Sequence, residues 1–182
     1  MKAIPFSYSG DLDRQQILAD LVIKGSTSPK IRKLATQIVR HCPSYDELCE
    51  IQSIYNFVRD NIRYVEDPKW VDSYHSAERI LELGSADCDD FVVITGSLLG
   101  AIGFPVGAKI VAKKSDMPFH HIYPIVITPK RCPFEITKNK VIIPSKCKIY
   151  PLDPSVKSLP CCKEVPHAKE QLFIYLPKFL VL

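Results

Sequence analysis

At 182 residues, with 46% apolar and 24% charged side chains and both signs mixed along its length, the chain excludes disorder and fibre. The 24 Lys and Arg exceed the 20 Asp and Glu by only four charges, too small a surplus to indicate a nucleic-acid partner. The opening MKAIPFSYSG holds no apolar stretch long enough for a signal-peptide core and no later segment approaches a membrane span, so the sequence predicts a soluble protein with no membrane partner.

In chain order, apolar residues recur at helical intervals from Leu12 to Val22 and from Ile31 to Val39, where Pro29 after Ser28 suits a helix start. Ser44 and Glu47 form a Ser-x-x-Glu capping box, which predicts a third helix with the stripe Leu48, Ile51, Tyr55, Val58 and Ile62. Arg63 to Glu66 reads as extended and is broken at Asp67-Pro68, because a residue before proline avoids the helical region. A loop around Trp70 follows, then a short helix from Ser76 to Leu83 that Gly84 can end.

Asp87-Cys88-Asp89-Asp90 precedes Phe91, Ile94, Leu98 and Ile102, the spacing of a buried helix that finishes near Gly103. Cys88 therefore falls at a helix N-terminus. Beyond Pro105 the pattern turns extended: Val106 to Ala112, His121 to Thr128, Lys140 to Ile143 and Cys147 to Leu152 are expected in one antiparallel sheet. Pro160, Pro166 and Pro177 predict an irregular tail after Pro154. The expected fold class is α+β, with an N-terminal helical layer and a Cys-bearing core helix packed on the sheet. One domain is expected over residues 1–182: a helical part at about 1–62, a core at about 63–154, and the tail.

Seven cysteines with no secretory signal predict mostly reduced thiols in a reducing, cytoplasmic setting, since an odd number leaves at least one unpaired. Cys42, Cys49, Cys132 and Cys147 read as structural. Zinc is the rival for Cys132, Cys147, Cys161, Cys162 and His167, but no pair has the spacing of common zinc sites, so no metal is expected. The acidic residues form no recognisable loop of oxygen ligands, so calcium is not expected either, and no cofactor is implied.

A cysteine in the first turn of a helix faces unpaired N–H groups and the positive end of the macrodipole, which favour thiolate. Asp87, Asp89 and Asp90 oppose that unless they act as caps or ion-pair partners, so a cationic imidazole is required. His120 and His121 open the strand His-Ile-Tyr-Pro-Ile-Val on opposite faces, so one can reach the sulfur. Asp153, at the end of Ile149-Tyr150-Pro151-Leu152, is a carboxylate placed to orient the ring from its far nitrogen. Asp89 and Asp90 read most simply as first-turn complements to the dipole.

This order and these motifs resemble the transglutaminase-like superfamily, a papain-like cysteine hydrolase fold, and in particular its small phage and prokaryotic members. The resemblance rests on Gly84-Ser85-Ala86-Asp87-Cys88-Asp89-Asp90-Phe91 as the nucleophile segment and on Leu98 to Pro105 closing its helix. His121-Ile122-Tyr123, Leu152-Asp153-Pro154 and the upstream Phe57 to Tyr64 extend it over roughly Leu34 to Pro154. Ala86 departs from the glycine often found before Asp-Cys, which restricts how closely a substrate approaches.

The resemblance implies Cys88 as nucleophile, His121 as base and Asp153 as its orienting group, with His120 a neighbour. Cys88 N–H supplies one oxyanion donor, and His75 or Trp70 are candidates for the second; Asp89 and His120 are further candidates for touching substrate. The implied activity is cysteine-dependent acyl transfer or hydrolysis at amide bonds of protein or peptide substrates, as protease, deamidase or transglutaminase. The alternative is a noncatalytic binding or structural module on the same scaffold, virion-associated if the chain is phage-encoded. Oligomeric state is not legible in the residues.

Overall fold

The computed structural model describes residues 2–5, 12–67, 73–137 and 140–175, so the expected loop around Trp70 lies outside the described residues. In chain order the elements are β1 (Lys2–Pro5), α1 (Leu12–Thr27), α2 (Pro29–Val39), α3 (Glu47–Asn61), β2 (Arg63–Tyr64), α4 (Ala77–Leu83) and β3 (Ser85–Ala86). There follow α5 (Cys88–Ala101), β4 (Val106–Ala112), β5 (His121–Thr128), β6 (Glu135–Thr137), β7 (Lys140–Ile143), β8 (Lys148–Pro151) and β9 (Lys169–Tyr175).

Local chemistry explains most of the helix ends. Ser28 caps α2 ahead of Pro29, whose missing N–H costs nothing in a first turn. Ser76 caps α4, and Gly84 ends it at φ +62°, a conformation glycine adopts without a Cβ penalty. The cap of α3 is shifted from expectation. Asp46 accepts the Cys49 N–H at 2.9 Å, because a turn closed by Asp46 N–H to Pro43 O takes up Ser44 before the helix begins. Glu47, freed from the capping box, accepts the Lys130 N–H at 3.0 Å. Leu48 points out at 54% exposure, and Ile54 takes a buried place in the stripe instead.

Helix α5 is the hub of the core. Every residue from Asp90 to Leu99 is buried, against α1, the other helices and the sheet strand β5. Each large apolar side chain so removed from water contributes roughly 1.5–3 kcal/mol before entropy is set against it. Close approach of α1 depends on Gly96, where a Cβ would meet Val22 methyls at 3.1 Å.

The main sheet has the order β8-β5-β4-β9, antiparallel throughout, with Val111 opposite His121 and Ile125 opposite Pro151. Two expectations are corrected here. Lys140–Ile143 leaves that sheet for a separate one of order β1-β7-β6. The tail is not wholly irregular: β9 occupies the proline-free stretch between Pro166 and Pro177 and pairs with β4 over seven residues. A second apolar cluster forms around Ile127, Cys132, Ile143 and Cys147.

The expectation of mostly reduced thiols is also overturned. Cys42–Cys49 ties the early part of the α2–α3 loop to the first turn of α3, and Cys132–Cys147 lies in the second cluster. The odd count is satisfied by three free thiols, Cys88, Cys161 and Cys162, rather than by seven. Among the described residues no helix is long and apolar enough to cross a membrane.

Candidate active site

Cys88 is the first residue of α5, delivered there by the parallel pair β2 and β3, whose ladder continues as Val65 N–H to Ala86 O at 2.9 Å. Asp87 caps the helix, its Oδ1 accepting the Asp90 N–H at 2.9 Å. The Cys88 thiol is pushed up to about 12 by burial, then by the charges of Asp89 and Asp87; N–H groups of Ile122 and Asp89 work the other way without prevailing. Burial and the neighbouring carboxylates likewise raise Asp87 to about 7, against the Asp90 N–H. At neutral pH the isolated sulfur is thus a thiol, and the helix end alone does not make it a nucleophile.

The imidazole comes from the sheet. His121 opens β5, and its Nε2 meets Asp153 Oδ2 at 2.7 Å. Asp153 is 2% exposed and held from several sides. Ser155 Oγ donates to its Oδ1 at 2.5 Å, Leu152 N–H bonds Pro124 O at 2.9 Å, and the Tyr55 hydroxyl, which donates to Leu159 O at 2.5 Å, also lies 3.3 Å from the Asp153 main-chain oxygen. With Nε2 engaged, Nδ1 is the ring nitrogen left to exchange a proton.

His121 and Cys88 line the same depression of about 210 Å³, together with Asp89, His120, Arg14 and Phe119. A second, more apolar groove of about 350 Å³ adjoins it through His120 and His121 and is walled by Tyr64, Val111, Val156 and Pro166. His120 is exposed and its N–H bonds Val111 O at 3.2 Å. The structure therefore brings Cys88, His121, His120 and Asp89 to one depression and Asp153 behind the imidazole.

His75 is positioned differently. Its Nδ1 meets Asp90 Oδ2 at 2.8 Å and its N–H donates to Asp90 Oδ1 at 3.0 Å, so ring and main chain together clamp residues before α4 onto α5. It is absent from the lining of the Cys88 depression. Trp70, the other expected oxyanion donor, lies outside the described residues.

Sequence reasoning missed Ser155 and the Tyr55 hydroxyl, which lie against Asp153. Tyr55 carried only a core signal, which it also obeys at 0% exposure. No signal in the residues announces its bond to a carbonyl 98 positions away.

Among the described residues two clusters have the composition of metal ligands. Cys42 and Cys49 of the group with His41 are spent on a disulfide. Glu164, His167 and Glu170 surround the buried Lys109 ammonium, which bonds both carboxylates, at 2.7 Å to Glu170, and supplies the positive charge there.

The model of the Transglutaminase-like superfamily matches residues 32–118, a span that contains Cys88 and stops short of His121 and Asp153. No curated protein matches the chain. Among solved structures, a candidate protease from Parabacteroides distasonis is similar at TM-score 0.51 and 14% identity over 81% of this chain and 30% of that one. A candidate cysteine protease from Cytophaga hutchinsonii is similar at TM-score 0.46 and 14% identity, over 82% of this chain and 44% of that one. This chain thus spans less than half the length of either.

Proposed function

The chain has a transglutaminase-like fold, and from that premise we propose that it is a cysteine-dependent enzyme acting on amide bonds of proteins or peptides. The observation that carries the reading is the 2.7 Å bond between His121 and a fully enclosed Asp153, at the wall of the depression that Cys88 lines.

In this reading His121 Nδ1 takes the Cys88 proton as the sulfur attacks the amide carbon, and Asp153 holds the ring in the required tautomer and stabilises its cation. The carbonyl π pair moves onto oxygen, which the Cys88 N–H faces, since the first-turn donors of a helix have no intrahelical acceptor. Collapse breaks the C–N bond, His121 returns the proton to the leaving amine, and a thioester remains. Water then makes the protein a protease or deamidase; an amine makes it a transglutaminase. A raised thiol suits general-base activation in the transition state better than a standing thiolate. The apolar groove beside His120 and His121 provides room for a substrate side chain.

The two disulfides favour residence in an oxidising setting over a host cytoplasm.

Iodoacetamide is the first test. Alkylation of Cys88 near neutral pH, read on its own peptide and so apart from Cys161 and Cys162, is expected in wild type and in His120→Ala and lost in His121→Ala. Labelling that ignores His121 would remove the mechanism. Release of new N-termini, ammonia, or incorporation of a labelled amine then separates the three reactions.

A second reading, a noncatalytic binding or structural module on the same scaffold, draws on the burial of Cys88 beside Asp89 and Asp87, which keeps the proton on the sulfur. It predicts Cys88 labelling that rises only in strong alkali.

A further inference from the structure

Two free thiols lie away from the Cys88 depression. Cys161 and Cys162 are the central residues of a turn closed by Lys163 N–H to Pro160 O, and their sulfurs are 3.3 Å apart. Cys162 has φ +63°, in a region that the third position of such a turn normally gives to Gly or Asn. Both side chains are half-buried against the main core, while Pro160 and Lys163 flank them in solvent.

We propose that Cys161 and Cys162 form a reversible oxidation site, which a low-molecular-weight disulfide converts into a Cys161–Cys162 disulfide. The sulfurs need to close by little more than about 1 Å to reach the bonded distance of about 2.05 Å. The steps balance as two exchanges. Cys162 as thiolate attacks one sulfur of the external disulfide, forming a mixed disulfide and releasing one thiolate. Cys161 then loses its proton to solvent and displaces the second thiolate, closing the ring. The dithiol gives up two electrons, and the external disulfide becomes two thiols.

The order of attack follows from the hydrogen bond within the pair. The contact between the sulfurs, then burial, raises the Cys161 thiol, while the same contact lowers Cys162, so we assign the first attack to Cys162. The product is easily reopened: adjacent Cα atoms sit about 3.8 Å apart, below the roughly 4.4–6.8 Å that an unstrained disulfide spans, and strained bridges are the labile ones. The two existing disulfides join residues 7 and 15 positions apart and make no use of these thiols. This site stands apart from the amide chemistry and does not depend on it.

The test uses the intact protein with both existing disulfides in place. It is incubated with oxidised glutathione, quenched with iodoacetamide and cleaved with trypsin, which cuts after Lys157 and Lys163 and isolates both thiols in one peptide. The expected peptide carries no alkyl group and no glutathione and is two hydrogens lighter than the reduced form; dithiothreitol before the quench restores double alkylation. In Cys161→Ser a glutathione adduct should persist on Cys162, and in Cys162→Ser the remaining thiol should stay alkylatable. A wild-type peptide that remains doubly alkylated, or that keeps its glutathione, would overturn the proposal. An adduct on Cys161 in Cys162→Ser, with none in Cys161→Ser, would overturn the order of attack.

Discussion

Two imidazole–carboxylate pairs flank the start of α5, and they are nearly the same object. His121–Asp153 closes at 2.7 Å and His75–Asp90 at 2.8 Å, each onto a carboxylate no more than 5% exposed. What separates them is the other side of each ring and the second oxygen of each carboxylate. Asp90 spends its second oxygen on the His75 main chain, a clamp between two segments. Asp153 spends its second on Ser155 and leaves the facing ring nitrogen to a depression that holds a thiol. A buried carboxylate therefore fixes an imidazole in either case; under the proposed function, only the ring that shares a depression with a thiol carries chemistry.

Substitutions should pull the two pairs apart. Cys88→Ala is expected to cut turnover by about 10⁴-fold or more while the thermal midpoint stays near wild type, since the fold does not need the sulfur. Equal turnover in that variant ends the comparison. Asp153→Asn should lose about 10²–10⁴-fold through the wrong tautomer, read as kcat at fixed pH, with KM little changed.

His75→Ala should do the converse. Turnover should stay within about threefold, while denaturant titration shows a loss of about 2 kcal/mol from a buried carboxylate that keeps the residue 75 N–H and loses the ring. That cost should widen with pH. Burial raises the Asp90 carboxyl and His75 pulls it back down, so without His75 the folded value climbs further. Stability tied to a raised carboxyl is present while it is protonated and is lost as pH rises through the folded value. A cost independent of pH would count against the clamp.

The smallest effect on Cys88 itself is expected from Asp87→Asn, which keeps the cap and removes a charge. Asp87 lies at about 7 in the fold against an ordinary 3.8, so wild type loses stability as pH rises across that interval and the variant does not. The variant should be the more stable at pH 8, with the gap closing in acid, and its Cys88 should label a few-fold faster once one of the two opposing carboxylates is gone.

Much of this geometry is written locally. The stripe Phe91, Ile94 and Leu98 places Cys88 at the head of a buried helix, and the extended run after His120 places His121 at the head of a strand; both readings need only periodicity over one element. Leu152 to Pro154 similarly ends a strand where expected. What was illegible depends on partners distant in sequence. Asp46 displaced Ser44 as cap because of a turn upstream, and Tyr55 reaches Asp153 only because two layers dock. The pairing of four cysteines could not be read from an odd total, since connectivity is set by the fold. β9 hid behind its charged first residues, Lys169 and Glu170, which face Ala112 and Val111 at the outer end of the ladder.

That last strand has a consequence for how the molecule is made. During synthesis every residue of the Cys88, His121 and Asp153 constellation emerges before Lys169, so a nascent chain can assemble its chemistry while one flank of β4 still offers a row of unsatisfied amides and carbonyls. Such a flank is a template for a neighbouring copy rather than for a substrate. A chain halted at Ala168 should accordingly sediment as large assemblies, and recovery of soluble monomer would show that β4 is shielded by some other means.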